Sequence, residues 1–392
     1  MKKNIWISHL AFALVAFLTV SCGTKQYAMY SPEETNLQSL NKITDSENNK
    51  FGSPFGGDRG QNLFFTVRDK RGFSNIYRKD NPIAAAMSPK TEGKNYNAYP
   101  TFCGATNQLA YTGRQEGAYL SDIYMLDISQ GAAIRRVTNT PSEMENHPCL
   151  SVDGSTIVYD KRLAGTALKD AQVWRQDLRT ESSTLLCQGM MPSFSHDGRH
   201  IVFVRCTADG ENTCLVMMEA NGMNQTELTD AKMGIVTMPR FSPDDSQIIF
   251  QCMKKDKKDF DLYVINRNGT GLTQLTFNKS YDGEPYWAND GYVYFSSDRG
   301  GRPDNFQIWR FQYGNRYNNY TQSNNRPASV VSQPTSYSNQ NAYTGVYHTV
   351  KANETITEIA RRYNVSVRDV VRWNNLTTMT ITEGMKLKVS AQ

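Results

Sequence analysis

The chain has 392 residues, with 43 basic against 38 acidic side chains and a formal net charge of +5. That balance gives no strong single-sign field, and the length allows more than one folded unit. The sequence has no G-x-S-x-G elbow, no H-E-x-x-H and no P-loop, and its five histidines (His9, His147, His196, His200, His348) are scattered, so nothing in it reads as a nucleophile constellation, a metal site or a cofactor cradle.

Residues 1–21 carry Lys2 and Lys3, then an apolar run from Ile5 to Val20, and end just before Cys22. A charged start, a short apolar stretch and a small residue at the boundary describe a secretory signal, too short for a permanent membrane span. Thr19-Val20-Ser21-Cys22 resembles a bacterial lipobox, with Thr19 where that family usually has Leu. The resemblance implies that Cys22 is diacylated and anchors the mature chain through its acyl chains. Gly23 after the cysteine implies the outer membrane, and the lack of an acidic run after Cys22 implies its periplasmic face. The other reading is an ordinary cleavage site and a soluble secreted protein. Residues 22–36 are polar and read as a tether.

From residue 37 to 311 the chain repeats. The clearest unit is 238–277, where strand-period patterning predicts Met238–Ser242, Gln247–Cys252, Asp261–Asn266 and Gly271–Thr276, separated by turn residues. Prolines open related segments at 54, 100, 148, 192, 239 and 285, at spacings of 46, 48, 44, 47 and 46 residues. A period near forty-five with four strands per unit predicts an all-β propeller of six blades. In this reading each proline starts the innermost strand of its blade, where a missing N–H is tolerated. Asp-Gly or Asp-Asp pairs (Asp153-Gly154, Asp197-Gly198, Asp244-Asp245) then turn the hairpin, which is likelier chemistry for them than calcium binding. Blade six runs out after its third strand, Gln307–Phe311, whereas Leu37–Thr44 resembles the blade-ending segments GLTQLTF and NQTELTD. Residues 37–44 are therefore expected to supply the last blade's outer strand and close the ring; the alternative is a ring left open.

The pattern PxFSPDG…IxFxS…DIYxxxxxG…xxLT resembles the repeat of TolB-type propellers, a non-enzymatic periplasmic family, and also the propeller of prolyl-oligopeptidase-type peptidases. It is specific for fold and uninformative about chemistry. Cys206 and Cys214 flank the TADGENT hairpin of blade four and are either a disulfide or two free buried thiols; Cys103, Cys149, Cys187 and Cys252 read as small core residues. The basic run Lys254-Lys255-Asp256-Lys257-Lys258-Asp259 reads as a solvated loop, and nucleic acid is not an expected partner outside the cytoplasm.

Residues 312–345 are rich in Asn, Tyr, Ser, Gln and Thr and contain no acidic residue, a composition expected of a disordered linker. Residues 346–390 regain pattern: a strand at Tyr347–Val350, a helix from Thr355 with Glu358 at capping-box distance, a second helix after Ser366, and a closing strand at Met385–Val389. This small α+β (βααβ) unit resembles a LysM domain through YxVxxxETIxxIAxxYxVSVxxVxxWNNL…GxxLxV, with Asn353 in place of the usual first-loop Gly. The resemblance implies binding to N-acetylglucosamine-containing glycan, in a bacterial envelope peptidoglycan. It places the groove at Ala352, Asn353, Glu354, Thr355 and Ile356 and at Thr378, Met379, Thr380, Ile381 and Thr382. The other reading keeps Ile356 and Ile381 wholly in the core. Trp373 is expected to pack rather than to stack on sugar.

The sequence thus implies a non-catalytic envelope lipoprotein, without a cofactor, that binds the wall through its tail and offers its propeller to an unidentified envelope protein. The alternative is an accessory or substrate-gating propeller of a periplasmic peptidase or glycan hydrolase.

Overall fold

The computed structural model describes residues 28, 29, 34, 37–56, 62–129, 134–255 and 257–313. In the tail it describes 347–351, 354–356, 359, 360, 363, 370, 371, 373, 374, 376 and 381–389. The chain divides into two compact units, Met1–Tyr320 and Thr321–Gln392.

The first unit contains six four-stranded antiparallel sheets. Blade one is Lys50–Gly56, Leu63–Arg68, Ser74–Lys79 and Ser88–Pro89; blade two is Ala98–Cys103, Gln108–Gly113, Asp122–Asp127 and Arg135–Arg136. Blade three is Glu143–Leu150, Thr156–Leu163, Gln172–Asp177 and Ser183–Gln188; blade four is Met190–Phe194, His200–Cys206, Thr213–Glu219 and Thr226–Glu227. Blade five is Ile235–Phe241, Gln247–Met253, Asp261–Asn266 and Thr273–Gln274. Blade six takes Asp282–Trp287, Tyr292–Ser297 and Gln307–Gln312 from one end of the chain and Gln38–Lys42 from the other.

The apolar runs explain why the blades stack. Along the second strand of blade four, Ile201 and Phe203 pack toward blade three with Val158 and Val173. The alternate residues Val202 and Val204 pack toward blade five with Val236 and Ile248. Both faces of the strand are covered, so its sequence is continuously apolar instead of alternating. Equivalent clusters fill the other four seams. The one between blades six and one, built from Tyr286, Tyr294 and Ile308 against Phe51, Leu63 and Phe65, completes the circle. Gln38–Lys42 lies antiparallel to Gln307–Gln312, pairing Asn41 with Arg310 and Lys42 with Trp309, and Leu40 sinks into the cluster holding Trp309 and Phe311. Two sheet edges are thereby paired off.

The prolines do not start their strands, as the sequence reading expects. Each sits at an irregularity within the first strand, where the register slips between Gly52 and Phe55, Ala98 and Thr101, Asn146 and Cys149, Met190 and Ser193, Thr237 and Arg240, and Gly283 and Tyr286. A bulge leaves one position without a ladder partner, so a residue lacking N–H costs nothing there. The outer strand of blade five is also shorter than expected, because only Thr273 and Gln274 pair with the third strand. At the hairpins, Asp153, Asp197 and Asp244 each accept bonds from a serine hydroxyl two residues before and a backbone N–H two residues after. These carboxylates serve the turns.

Part of the expected tether is bound to the propeller. Asn278 Nδ2 donates to the Ala28 carbonyl at 2.7 Å, and the carboxylate of Glu34 receives Arg299 at 3.1 Å and the Phe277 N–H at 3.2 Å. Arg299 also holds Asp282, and the three side chains are 0–1% exposed. A buried guanidinium with two carboxylates around it stays charged.

Candidate functional site

The residue ahead of each repeated proline has a positive φ: Ser53 (49°), Tyr99 (53°), His147 (48°), Met191 (55°), Met238 (54°) and Glu284 (51°). None is glycine, and a left-handed conformation at a bulky residue persists only where its surroundings fix it. The bulge turns these six side chains out of the strand's alternation, on the first strands that form the inner ring.

Polar contacts run between blades at this level. Glu284 of blade six receives the N–H of Ser53 in blade one at 2.7 Å and its hydroxyl at 3.2 Å. The rings of Tyr99 and His147 lie 4.3 Å apart, and His147 Nδ1 meets Asp160 at 2.9 Å. Tyr99, Met191, Met238 and Glu284 line a cavity of about 20 Å³ together with Phe260, Tyr281 and Phe306. Those three rings form an edge-to-face series, with centroids 5.6 Å apart for Phe260–Tyr281 and 5.1 Å for Tyr281–Phe306. Burial pushes the Glu284 carboxyl above the usual carboxylate range, against the two bonds from Ser53. Burial, with the Glu284 charge beside it, pushes the Tyr281 phenol well above its usual range. The sequence signal for this ring is the repeated proline, but the residue before it varies in type from blade to blade, so pattern reading passes it over.

In the second unit Tyr347–Thr349 pairs antiparallel with Lys386–Lys388. Helical residues at 356, 359, 360, 370, 371 and 373 accompany that ribbon, and Val350, Ile356, Ile359, Ala360, Val370, Leu387 and Val389 make the core. Two networks absent from the sequence reading hold the loops. His348 reaches Glu354 at 2.7 Å through Nε2 and the Tyr363 hydroxyl at 3.1 Å through Nδ1. Asn374 donates to the carbonyls of Val370 and Lys388 and accepts the Lys388 N–H, tying helix to closing strand.

The expected glycan residues divide accordingly. Glu354 is half-buried, Thr355 and Thr382 are exposed, and Ile381 is half-buried against the core. Ile356 is 5% exposed, so its side chain belongs to the core and not to a sugar-facing surface. Asn353, Thr378, Met379 and Thr380 lie outside the described residues, as do Ala352 and Cys22.

Cys206 and Cys214 are free thiols. Their strands pair Cys206 with Thr213 and Arg205 with Cys214. Neighbouring residues on a strand point to opposite faces, so Cys206 packs toward blade five and Cys214 toward blade three. The register therefore rules out the disulfide alternative. His147 and His196 are each engaged by a different carboxylate, Asp160 and Asp245. Among the described residues no group of three or more His, Cys, Asp or Glu side chains is arranged to hold a metal ion, and no helix is long and apolar enough to cross a membrane.

The architecture is a closed six-bladed propeller with a separate small α+β module. The TolB beta propeller domain family matches residues 190–353 and the LysM domain family matches residues 348–390. No curated protein matches the chain in sequence. A TolB structure from Agrobacterium tumefaciens superposes with a TM-score of 0.51 at 16% identity, covering 70% of this chain and 97% of that one. TolB from Acinetobacter baumannii gives 0.45 at 13%, covering 69% and 65%. An oligogalacturonate lyase from Vibrio parahaemolyticus gives 0.48 at 14%, covering 76% and 98%. At these identities the likeness is one of fold. A TolB-like six-bladed propeller is thus followed by a unit that matches the LysM domain family.

Proposed function

We propose that this is a lipid-anchored, non-catalytic protein of the outer membrane's periplasmic face. Its LysM domain grips peptidoglycan while its propeller serves as a scaffold for another envelope protein. The observation that carries this reading is the pairing of the two domains on one chain behind a lipobox-like segment ending at Cys22.

The groove would be formed by the Asn353–Ile356 loop and the Thr378–Thr382 loop. Exposed Thr355 and Thr382 supply hydroxyls for acetamido and sugar oxygens, while Ile356 supports the first loop from beneath. The His348–Glu354 contact ties Glu354 to the first strand. With Cys22 acylated, the six residues to the docked Ala28 span at most about 20 Å, which keeps the propeller close to the bilayer. Two weak attachments, one to lipid and one to wall, raise the effective concentration of each end at its target.

Sedimentation with purified peptidoglycan, using the full chain and a chain lacking residues 346–392, tests the reading. The full chain is expected in the pellet and the shortened chain in the supernatant. Equal sedimentation of the two would remove the LysM domain as the wall contact. A peptidase or glycan hydrolase captured by cross-linking to the propeller would favour the gating role instead.

A further inference from the structure

The axial cavity has a chemistry that neither domain assignment uses. Glu284 is 6% exposed, and among the described residues no Lys, Arg or His lies within ion-pair distance of its carboxylate. Its two hydrogen bonds come from the neutral backbone and hydroxyl of Ser53. The charged groups nearest it act on it through space without forming an ion pair: His147 is bonded to Asp160, and the Arg240 guanidinium donates to the Pro239 carbonyl at 3.3 Å. Facing the same space are Tyr99 and the ring series Phe260, Tyr281 and Phe306. A buried carboxylate with no hydrogen-bonded counter-cation, in a cavity lined by aromatic rings, is an environment that attracts an organic cation, through charge-assisted hydrogen bonds and through the ring quadrupoles. The volume limits which cation fits. The space inside the ring of lining residues is small, which favours a compact –NH3+ head over a trimethylated one.

We propose that this pocket binds a primary alkylammonium group, presented either by a lysine side chain or by a small free amine, with Glu284 as counter-ion and Tyr281, Phe260, Phe306 and Tyr99 as the surrounding wall. The site is distinct from the glycan module and does not depend on wall binding. It also gives the left-handed residues ahead of the prolines a role: they carry Glu284 and Tyr99 off the strand and into the pore. Burial opposes the charged form of Glu284, while the two Ser53 bonds and the nearby His147 and Arg240 favour it; the Tyr281 and Tyr99 phenols are themselves held neutral beside it. Because burial raises this carboxyl, acidification protonates it and removes the counter-ion, so binding weakens as pH falls.

Isothermal titration of the full chain with n-butylammonium, N-acetyl-lysine methylamide and tetramethylammonium tests this. One-site saturable binding is expected for at least one of the two primary amines, with none for tetramethylammonium. Binding of the lysine compound alone places the natural source on a partner protein, and comparable binding of butylammonium places it in a free amine. Glu284→Gln can still accept the Ser53 N–H and donate to the Ser53 hydroxyl, and is expected to lower affinity at least tenfold. Tyr281→Leu, which leaves the carboxylate in place, is expected to lower it at least threefold and carries the test if the first variant fails to fold. Affinity of the unmodified chain is expected to be lower at pH 5 than at pH 7.5. The proposal is overturned if neither primary amine saturates, if tetramethylammonium binds as tightly as they do, or if both variants retain full affinity.

Discussion

Replacing Arg299 with methionine probes the link between the N-terminal segment and the ring. The guanidinium is completely buried, and its Nη2 lies 3.1 Å from Glu34 Oε1 while its Nε lies 3.2 Å from Asp282 Oδ1. Methionine fills much of the same volume but leaves two carboxylates in a dry site without a counter-charge. Removing one side of a buried ionic group costs about 3–5 kcal/mol, whereas Glu34→Gln leaves Arg299 balanced by Asp282 and keeps an acceptor for the Phe277 N–H. That second change forfeits only charge-assisted bonding, about 1.5–3 kcal/mol. Urea unfolding followed by tryptophan fluorescence reads both, since Trp287 and Trp309 sit in the adjoining cluster. The expected order is Arg299→Met well below Glu34→Gln, with the unmodified chain highest. Equal midpoints for all three would refute the claim that Glu34 is part of the folded propeller.

Three other outcomes are expected. Leu40 of the closing strand is 7% exposed, so Leu40→Ala should cost at least about 2 kcal/mol; Leu163→Ala, at a half-exposed position, should lie within about 0.5 kcal/mol of the parent in the same urea series. Glu145 is fully buried, bonded to Thr140 through one oxygen and lacking a partner on the other, and burial pushes its carboxyl up to about 7. The folded state thus keeps a proton that the unfolded chain releases near 4.5. This stabilising contribution is complete below that pH and lost as pH rises through 7; Asp261 and Asp298, both raised by burial to about 6, act in the same direction. Unfolding midpoints should fall between pH 5 and 7.5, and Glu145→Gln should flatten that fall by up to about 3 kcal/mol; a parallel profile for the variant would exclude Glu145 as the source. Finally, Cys22→Ala should move the protein from the membrane to the soluble fraction of an envelope preparation, and unchanged fractionation would remove the lipid anchor.

The sequence by itself determined the blade number, the continuously apolar second strands and the two-domain plan. These rest on local periodicity: a strand buried on both faces must be apolar at every position, and each repeat solves the same packing problem. The closing strand was legible for a similar reason, since Leu37–Thr44 carries a blade-ending pattern with no blade ahead of it. Pattern gave no access to features that join residues far apart in the chain. Arg299 finds Glu34 across 265 positions, and Glu284 finds Ser53 across 231; a lone arginine or glutamate has no period to reveal its partner. Register was equally out of reach, because the hairpin length fits Cys206 facing Cys214 as readily as facing Thr213, and one residue of slip sends the thiols to opposite faces. The prolines were visible but not their effect, because only closure of the ring brings six bulges together and turns the residues ahead of them onto a common axis.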